Sequence, residues 1–114
     1  MSTNFPAVPS HINNYPVLAN RPASRRKGEP CVVVLVRRAD MEDYATWMWN
    51  RDTGCAFEGH YDMTLTEAAE DFASRGGLRT CTLNYTIADH VPAEVRQLVR
   101  EATVAAWSAD AESS

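Results

Sequence analysis

The run from Tyr44 to Arg75, YATWMWNRDTGCAFEGHYDMTLTEAAEDFASR, most constrains the fold, because a hairpin pattern passes directly into a helix pattern. On both sides of Arg51-Asp52-Thr53-Gly54, apolar and polar residues alternate, the period-two signature of half-buried strands. A glycine closing a short Asp-containing loop suits a type I turn followed by a left-handed residue, since glycine takes positive φ without steric penalty. With Asp52, Thr53 and Gly54 as the loop, Trp49 pairs with Phe57, Trp47 with Gly59 and Ala45 with Tyr61. This register puts Ala45, Trp47 and Trp49 on the core face, with the Trp47 indole over the bare backbone of Gly59. Thr46, Met48, Glu58 and His60 share the outward face.

The helix pattern begins at Thr64, which forms a capping box with Glu67, and Leu65, Ala68, Ala69, Phe72 and Ala73 follow helical spacing. Gly76 and Gly77 end it. Glu67, Glu70, Asp71 and Ser74 make an acidic, solvated face. The small Ala68, Ala69 and Ala73 let the helix lie close to the sheet, with Phe72 filling the space between Trp47 and Trp49.

Residues 31–38, CVVVLVRR, form a β-branched run suited to a strand covered on both faces, near the centre of the sheet. Residues 79–87, RTCTLNYTI, alternate again and predict a fourth strand. Pro92 sits in the first turn of a second helix, whose apolar stripe is Val91, Val95, Leu98, Val99, Ala102 and Ala106, with Trp107 near its end. Residues 1–30 are rich in Pro, Asn and Ser and show neither period, which predicts a flexible tail. The expected fold is α+β: an antiparallel three-stranded meander, a helix, a fourth strand and a C-terminal helix (β-β-β-α-β-α), with both helices packed on one sheet face. The domain is expected over residues 31–108, with 109–114 frayed.

That element order is the truncated opening of the RNase H-like arrangement, and it resembles the N-terminal domain of HicB-type antitoxins. Gly59 followed by Thr64-Leu65-Thr66-Glu67-Ala68 is similar to that family's glycine and T-x-E-A entry into the first helix. The resemblance covers residues 31–76. The chain departs from the family in having no Pro-Asp-x-Pro-Gly segment before the glycine and no C-terminal DNA-binding helix-turn-helix or ribbon. The resemblance implies neutralisation of a basic, RNA-directed partner, without operator binding.

Charge supports that direction. Residues 1–30 carry Arg21, Arg25, Arg26 and Lys27 against Glu29, a charge of +3, which leaves −7 on the rest of a chain whose total is −4. Phosphate binding draws its affinity from Lys and Arg, so an acidic domain is a poor nucleic-acid binder and a better match for a basic protein surface. The basic tail residues are the candidates for contact with nucleic acid or an acidic partner. The expected contact groups of the domain are the outward strand patch, Thr46, Met48, Glu58 and His60, and the helix strip, Glu67, Glu70 and Asp71. A homodimer through a strand edge is left open.

Reactive chemistry finds little footing. Cys31, Cys55 and Cys81 show no Cys-x-x-Cys spacing, which predicts reduced, buried thiols and cytoplasmic residence. No apolar run approaches the ~18 residues of a membrane span. The first predicted strand has no carboxylate for a two-metal nuclease. Glu58 and His60 at i and i+2, with Asp62 beyond and His90 as a distant fourth group, offer an alternative: a small metal-dependent or redox enzyme that also uses a cysteine. The expectation is a non-enzymatic regulator with no cofactor or metal, a toxin neutraliser or a phage- or plasmid-type inhibitor of host defence that binds and blocks a basic, nucleic-acid-directed protein.

Overall fold

The computed structural model describes residues 8–22, 31–75 and 85–113, without the side chains of Trp107 and residues 109–113. The chain runs β1 (His11–Ile12), β2 (Tyr15–Pro22), β3 (Cys31–Arg38), β4 (Asp43–Asn50), β5 (Cys55–Met63), α1 (Leu65–Ser74), β6 (Thr86–Ile87) and α2 (Ala93–Ser113). Strands β1 to β5 are antiparallel neighbours in chain order, β6 pairs with β2, and the sheet curls into a half-barrel. This overturns the expected β-β-β-α-β-α order and, with it, the truncated RNase H-like reading. Two strands precede Cys31. Helix α1 lies against β3, β4 and β5, whereas α2 packs chiefly on α1.

The first two strands fall within the segment expected as a tail, and β2 hides from a periodicity test for a physical reason. Its pairing with β3 shifts register between Val17 and Ala19. The bulge turns both Leu18 and Ala19 toward the helices while Val17 faces the other way, so the apolar residues do not alternate. Pro16 and Pro22 sit near the ends of β2, where a missing N–H is tolerated. Asn13 and Asn14 link β1 to β2 with φ of 53° and 69°, the two left-handed residues of a tight hairpin turn. Arg25, Arg26, Lys27, Gly76, Gly77 and Cys81, with most of the expected fourth strand, lie outside the described residues; Tyr85, Thr86 and Ile87 are its described part, and the last two form β6.

Strand β3 is buried on both faces, with Val33, Val34, Leu35 and Val36 at 0% exposure. Cys31, Val33 and Leu35 join Met48, Phe72, Val95 and Val99 on the helix side. Val32, Val34 and Val36 join Ile12, Val17, Ala45 and Trp47 on the opposite side. The hairpin is therefore turned over relative to expectation: α1 covers the side carrying Thr46 and Met48, and Phe72 does not lie between Trp47 and Trp49. Both faces of β4 are buried, so alternation alone could not say which one meets the helix.

The hairpin turn is also one residue longer than expected. Asn50 pairs with Cys55, the Gly54 N–H donates to the Asn50 carbonyl at 2.8 Å, and Gly54 adopts φ +70°. The Asn50 side-chain oxygen accepts from the N–H groups of Asp52 and Thr53. Two bulges in β5 follow, at Glu58 (φ 51°) and Asp62 (φ 57°), so that Thr46 comes back opposite His60 and Tyr44 opposite Met63. Between the bulges, Trp47 Nε1 donates to the Tyr61 hydroxyl at 2.7 Å. That pair covers Gly59 closely enough that an added Cβ would collide with both side chains, as the Trp47-over-Gly59 reading expects.

One buried cation joins the sheet to α1. Arg21 is 1% exposed; its Nε donates to the Phe72 carbonyl at 2.7 Å, and its terminal nitrogens donate to the carbonyls of Arg75 and Pro22. Its guanidinium also lies 5.9 Å from the Phe72 ring centroid. The last turn of α1 has no basic residue of its own, and Arg75 leaves it in extended conformation. Arg21 thus satisfies C-terminal carbonyls that a helix leaves unpaired, and it is no part of a solvent-facing basic tail.

Hydrogen bonds from a charged group contribute about 1.5–3 kcal/mol each, so Arg21→Met is expected to destabilise the domain by about 3 kcal/mol in urea unfolding. Arg21→Lys should recover less than half of that, because an ammonium cannot fork between two carbonyls. A loss below about 1 kcal/mol for Arg21→Met would show that the helix end is held by other groups.

Candidate interaction surface

The seam between β5 and α1 is built on one row of the sheet, Ala19, Leu35, Thr46 and His60, each paired with the next. Helix α1 starts at a complete capping box: the Thr64 hydroxyl accepts from the Glu67 N–H at 3.2 Å, and Glu67 Oε1 accepts from the Thr64 N–H at 2.9 Å. The start fixes the phase of the helix. Ala68, Ala69, Phe72 and Ala73 face inward, and Asp71 comes down over Thr46 and His60.

Four polar groups join there. The Thr46 hydroxyl donates to Asp71 Oδ2, and His60 Nδ1 lies 2.9 Å from the same oxygen. Arg75 donates to the Thr46 carbonyl at 3.1 Å and to its hydroxyl at 3.0 Å. The order Arg75, Thr46, Asp71, His60 balances the carboxylate between a cation and an imidazole and satisfies the hydroxyl of a residue at 0% exposure. The His60 side chain is 52% exposed and that of Asp71 26%, so the outer end of the network reaches solvent.

The expected strand patch and helix strip are thus one surface, with different members. His60 and Asp71 meet. Glu58 on β5 and Glu67 and Glu70 on α1 are exposed. Thr46 and Met48, at 0% and 2% exposure, are core residues and cannot be contact groups. Asp71 is a fastening between helix and strand as much as a surface charge. Of the groups in the enzyme alternative, Cys31 is buried and Cys55 is exposed at the hairpin turn. His90 follows β6, which pairs with β2, so β3 and β4 separate that edge from β5. Among the described residues, no three of His, Cys, Asp and Glu gather as metal ligands.

Sequence reasoning missed a second cluster, beside the second bulge of β5. Arg38 donates to both carboxylate oxygens of Asp43, at 2.7 and 2.6 Å, and its guanidinium lies 4.7 Å from the Tyr61 ring centroid. Asp43 also accepts from the Asp62 N–H at 2.7 Å, which anchors the second bulge. The Arg38 hydrogen bonds hold the Asp43 carboxyl below its usual range, against the opposing effect of burial. Arg38 is displaced upward, chiefly by the same hydrogen bonds. Tyr15 from β2 reaches across β3 to Trp47 of β4, ring centroids 6.3 Å apart. The Arg38-x4-Asp43 spacing across a tight strand connection is the sequence signal for the ion pair; nothing local announces the ring contacts.

Fold and surface together define a small α+β domain whose β5 and α1 both carry exposed carboxylates. The chain matches no protein-family model, no curated protein and no solved structure in comparisons with all three. No helix among the described residues is long and apolar enough to cross a membrane.

Because Thr46 is buried and His60 half-exposed, their substitutions should differ. Thr46→Val is expected to cost about 2 kcal/mol by leaving Asp71 and Arg75 short of a partner, and His60→Ala about 0.5 kcal/mol. Urea unfolding of both variants measures this; equal losses would mean that Asp71 is held by His60 and not by the threonine.

Proposed function

We propose that this chain is a non-enzymatic regulatory protein that binds and blocks a basic, nucleic-acid-directed protein partner, as a toxin neutraliser or a phage- or plasmid-type inhibitor of host defence does. The supporting observation is the joining of strand and helix at His60 and Asp71, which fixes the exposed Glu58 of β5 relative to the exposed Glu67 and Glu70 of α1. A rigid face loses little conformational freedom on binding, and carboxylates on it favour encounter with a basic partner. The resemblance to HicB-type antitoxins rests now on Gly59 and Thr64–Ala68 alone, since the element order that accompanied it is overturned. A homodimer through β5 gains no support from that strand's two bulges, which disrupt an edge for pairing.

The test separates binding from folding. Glu67 closes the capping box and Asp71 ties down Thr46 and His60, so reversing either would weaken α1 itself. Glu58→Lys with Glu70→Lys leaves both arrangements in place. Affinity capture from a host lysate with the unaltered chain is expected to recover a basic protein, with binding reduced at least tenfold by the double variant and by raised salt. An acidic partner, or one indifferent to both changes, would refute the reading.

A further inference from the structure

Helices α1 and α2 leave a groove of about 500 Å³ along their outer side. Its floor is Ala69, Leu98, Ala102 and Ala105, and its charged groups are Glu70 from α1 and Glu101 from α2. Among the described residues that line it, none is basic. The volume lies within the ~300–1,000 Å³ typical of binding clefts. Short side chains on both walls let another backbone approach closely. Along α1 the groove runs from Thr66 to Ser74, about 12 Å at ~1.5 Å per residue, or about two helical turns.

We propose that this groove is the docking site for one amphipathic, cationic helix of the protein partner. Leucine-sized side chains at i, i+3 or i+4, and i+7 match the length of the apolar floor, and lysines or arginines flanking that stripe reach Glu70 and Glu101. The two carboxylates decide the occupant. Both are exposed, one on each wall, so a cation on either side of an inserted apolar stripe finds an opposite charge while its stem covers apolar surface. Glu101 already accepts a hydrogen bond from Gln97 at 2.8 Å, which holds its carboxylate along α2. A second copy of this chain would bring the same two carboxylates to the contact, so like charges oppose self-docking through this face. Glu70 lines the groove and is one of the exposed carboxylates of the regulatory reading, on which the inference rests for its partner.

The probe is a synthetic fourteen-residue peptide of Leu, Lys and Ala, with leucines at helical spacing, titrated by fluorescence anisotropy into the full chain. Binding is expected in the micromolar range, weakened at least tenfold by Ala105→Trp, which fills the groove from an exposed position. Glu70→Gln with Glu101→Gln, which keeps the acceptor for Gln97, should weaken it to a similar degree and flatten its salt dependence. A peptide of identical composition in scrambled order should bind more weakly than the helical one. Equal binding by the unaltered chain and Ala105→Trp, or by a peptide with Glu in place of Lys, would overturn the proposal. So would self-association of the chain that Ala105→Trp abolishes. If a captured basic partner is lost with Glu58→Lys and yet binds Ala105→Trp normally, the groove assignment fails while the regulatory reading stands.

Discussion

A buried guanidinium in the second strand holds the end of the first helix, and the arrangement of everything else follows from it. Arg21 lies in the sheet row of Val33, Met48 and Phe57, facing the helices, and reaches the carbonyls of Phe72 and Arg75. A buried cation is costly unless its donors are satisfied, and the negative end of a helix dipole supplies acceptors at that place. The contact spans fifty-one residues of sequence between Arg21 and Phe72, so it makes β2 an integral strand. Through β2 it also places β6, which pairs Ala19 with Ile87, and the turn that starts α2. In that turn Arg96 donates to the carbonyls of Ala88, Asp89 and Val91, a second case of arginine gathering main-chain acceptors.

With its end held by Arg21 and its start by the Thr64–Glu67 capping box, α1 can be fastened at its middle by Asp71. Three attachments on a helix of ten residues leave it little freedom, and its two outer sides then serve as surface: one meets β5 at His60, and the other forms a wall of the interhelical groove. The acidic groups in both places are held by structure that would persist without a partner. Such preorganisation is what a blocking protein needs, because order supplied in advance is not subtracted from affinity.

Much of the Tyr44–Arg75 segment was legible in the residues. The alternation about the turn, the left-handed Gly54, the Trp47 indole over Gly59 and the capping box all follow from local chemistry. What lay beyond reach depends on breaks in local rules. The bulge at Leu18 destroys the period of β2, and prolines near its ends look like a leader. The Asn13-Asn14 pair is a usable turn signal, but it joins a strand of only two residues. The bulges at Glu58 and Asp62 shift the register without a glycine to mark them. Arg21 in a Pro- and Asn-rich stretch looks solvated until the helix that needs it is in place. The candidate surface was half visible: the acidic helix face is a matter of spacing, whereas burial of Thr46 and Met48 depends on which side of β4 receives α1.

Hydrogen–deuterium exchange of the full chain tests most directly whether the sheet begins before Cys31. If Arg21 locks β2 into the domain, the segment 15–22 should exchange through the same cooperative opening as 31–38, with slowing within a few-fold of it and equal sensitivity to urea. Exchange of 15–22 within seconds at neutral pH, while 31–38 stays protected, would mean that this segment is a detachable leader and would contradict the account.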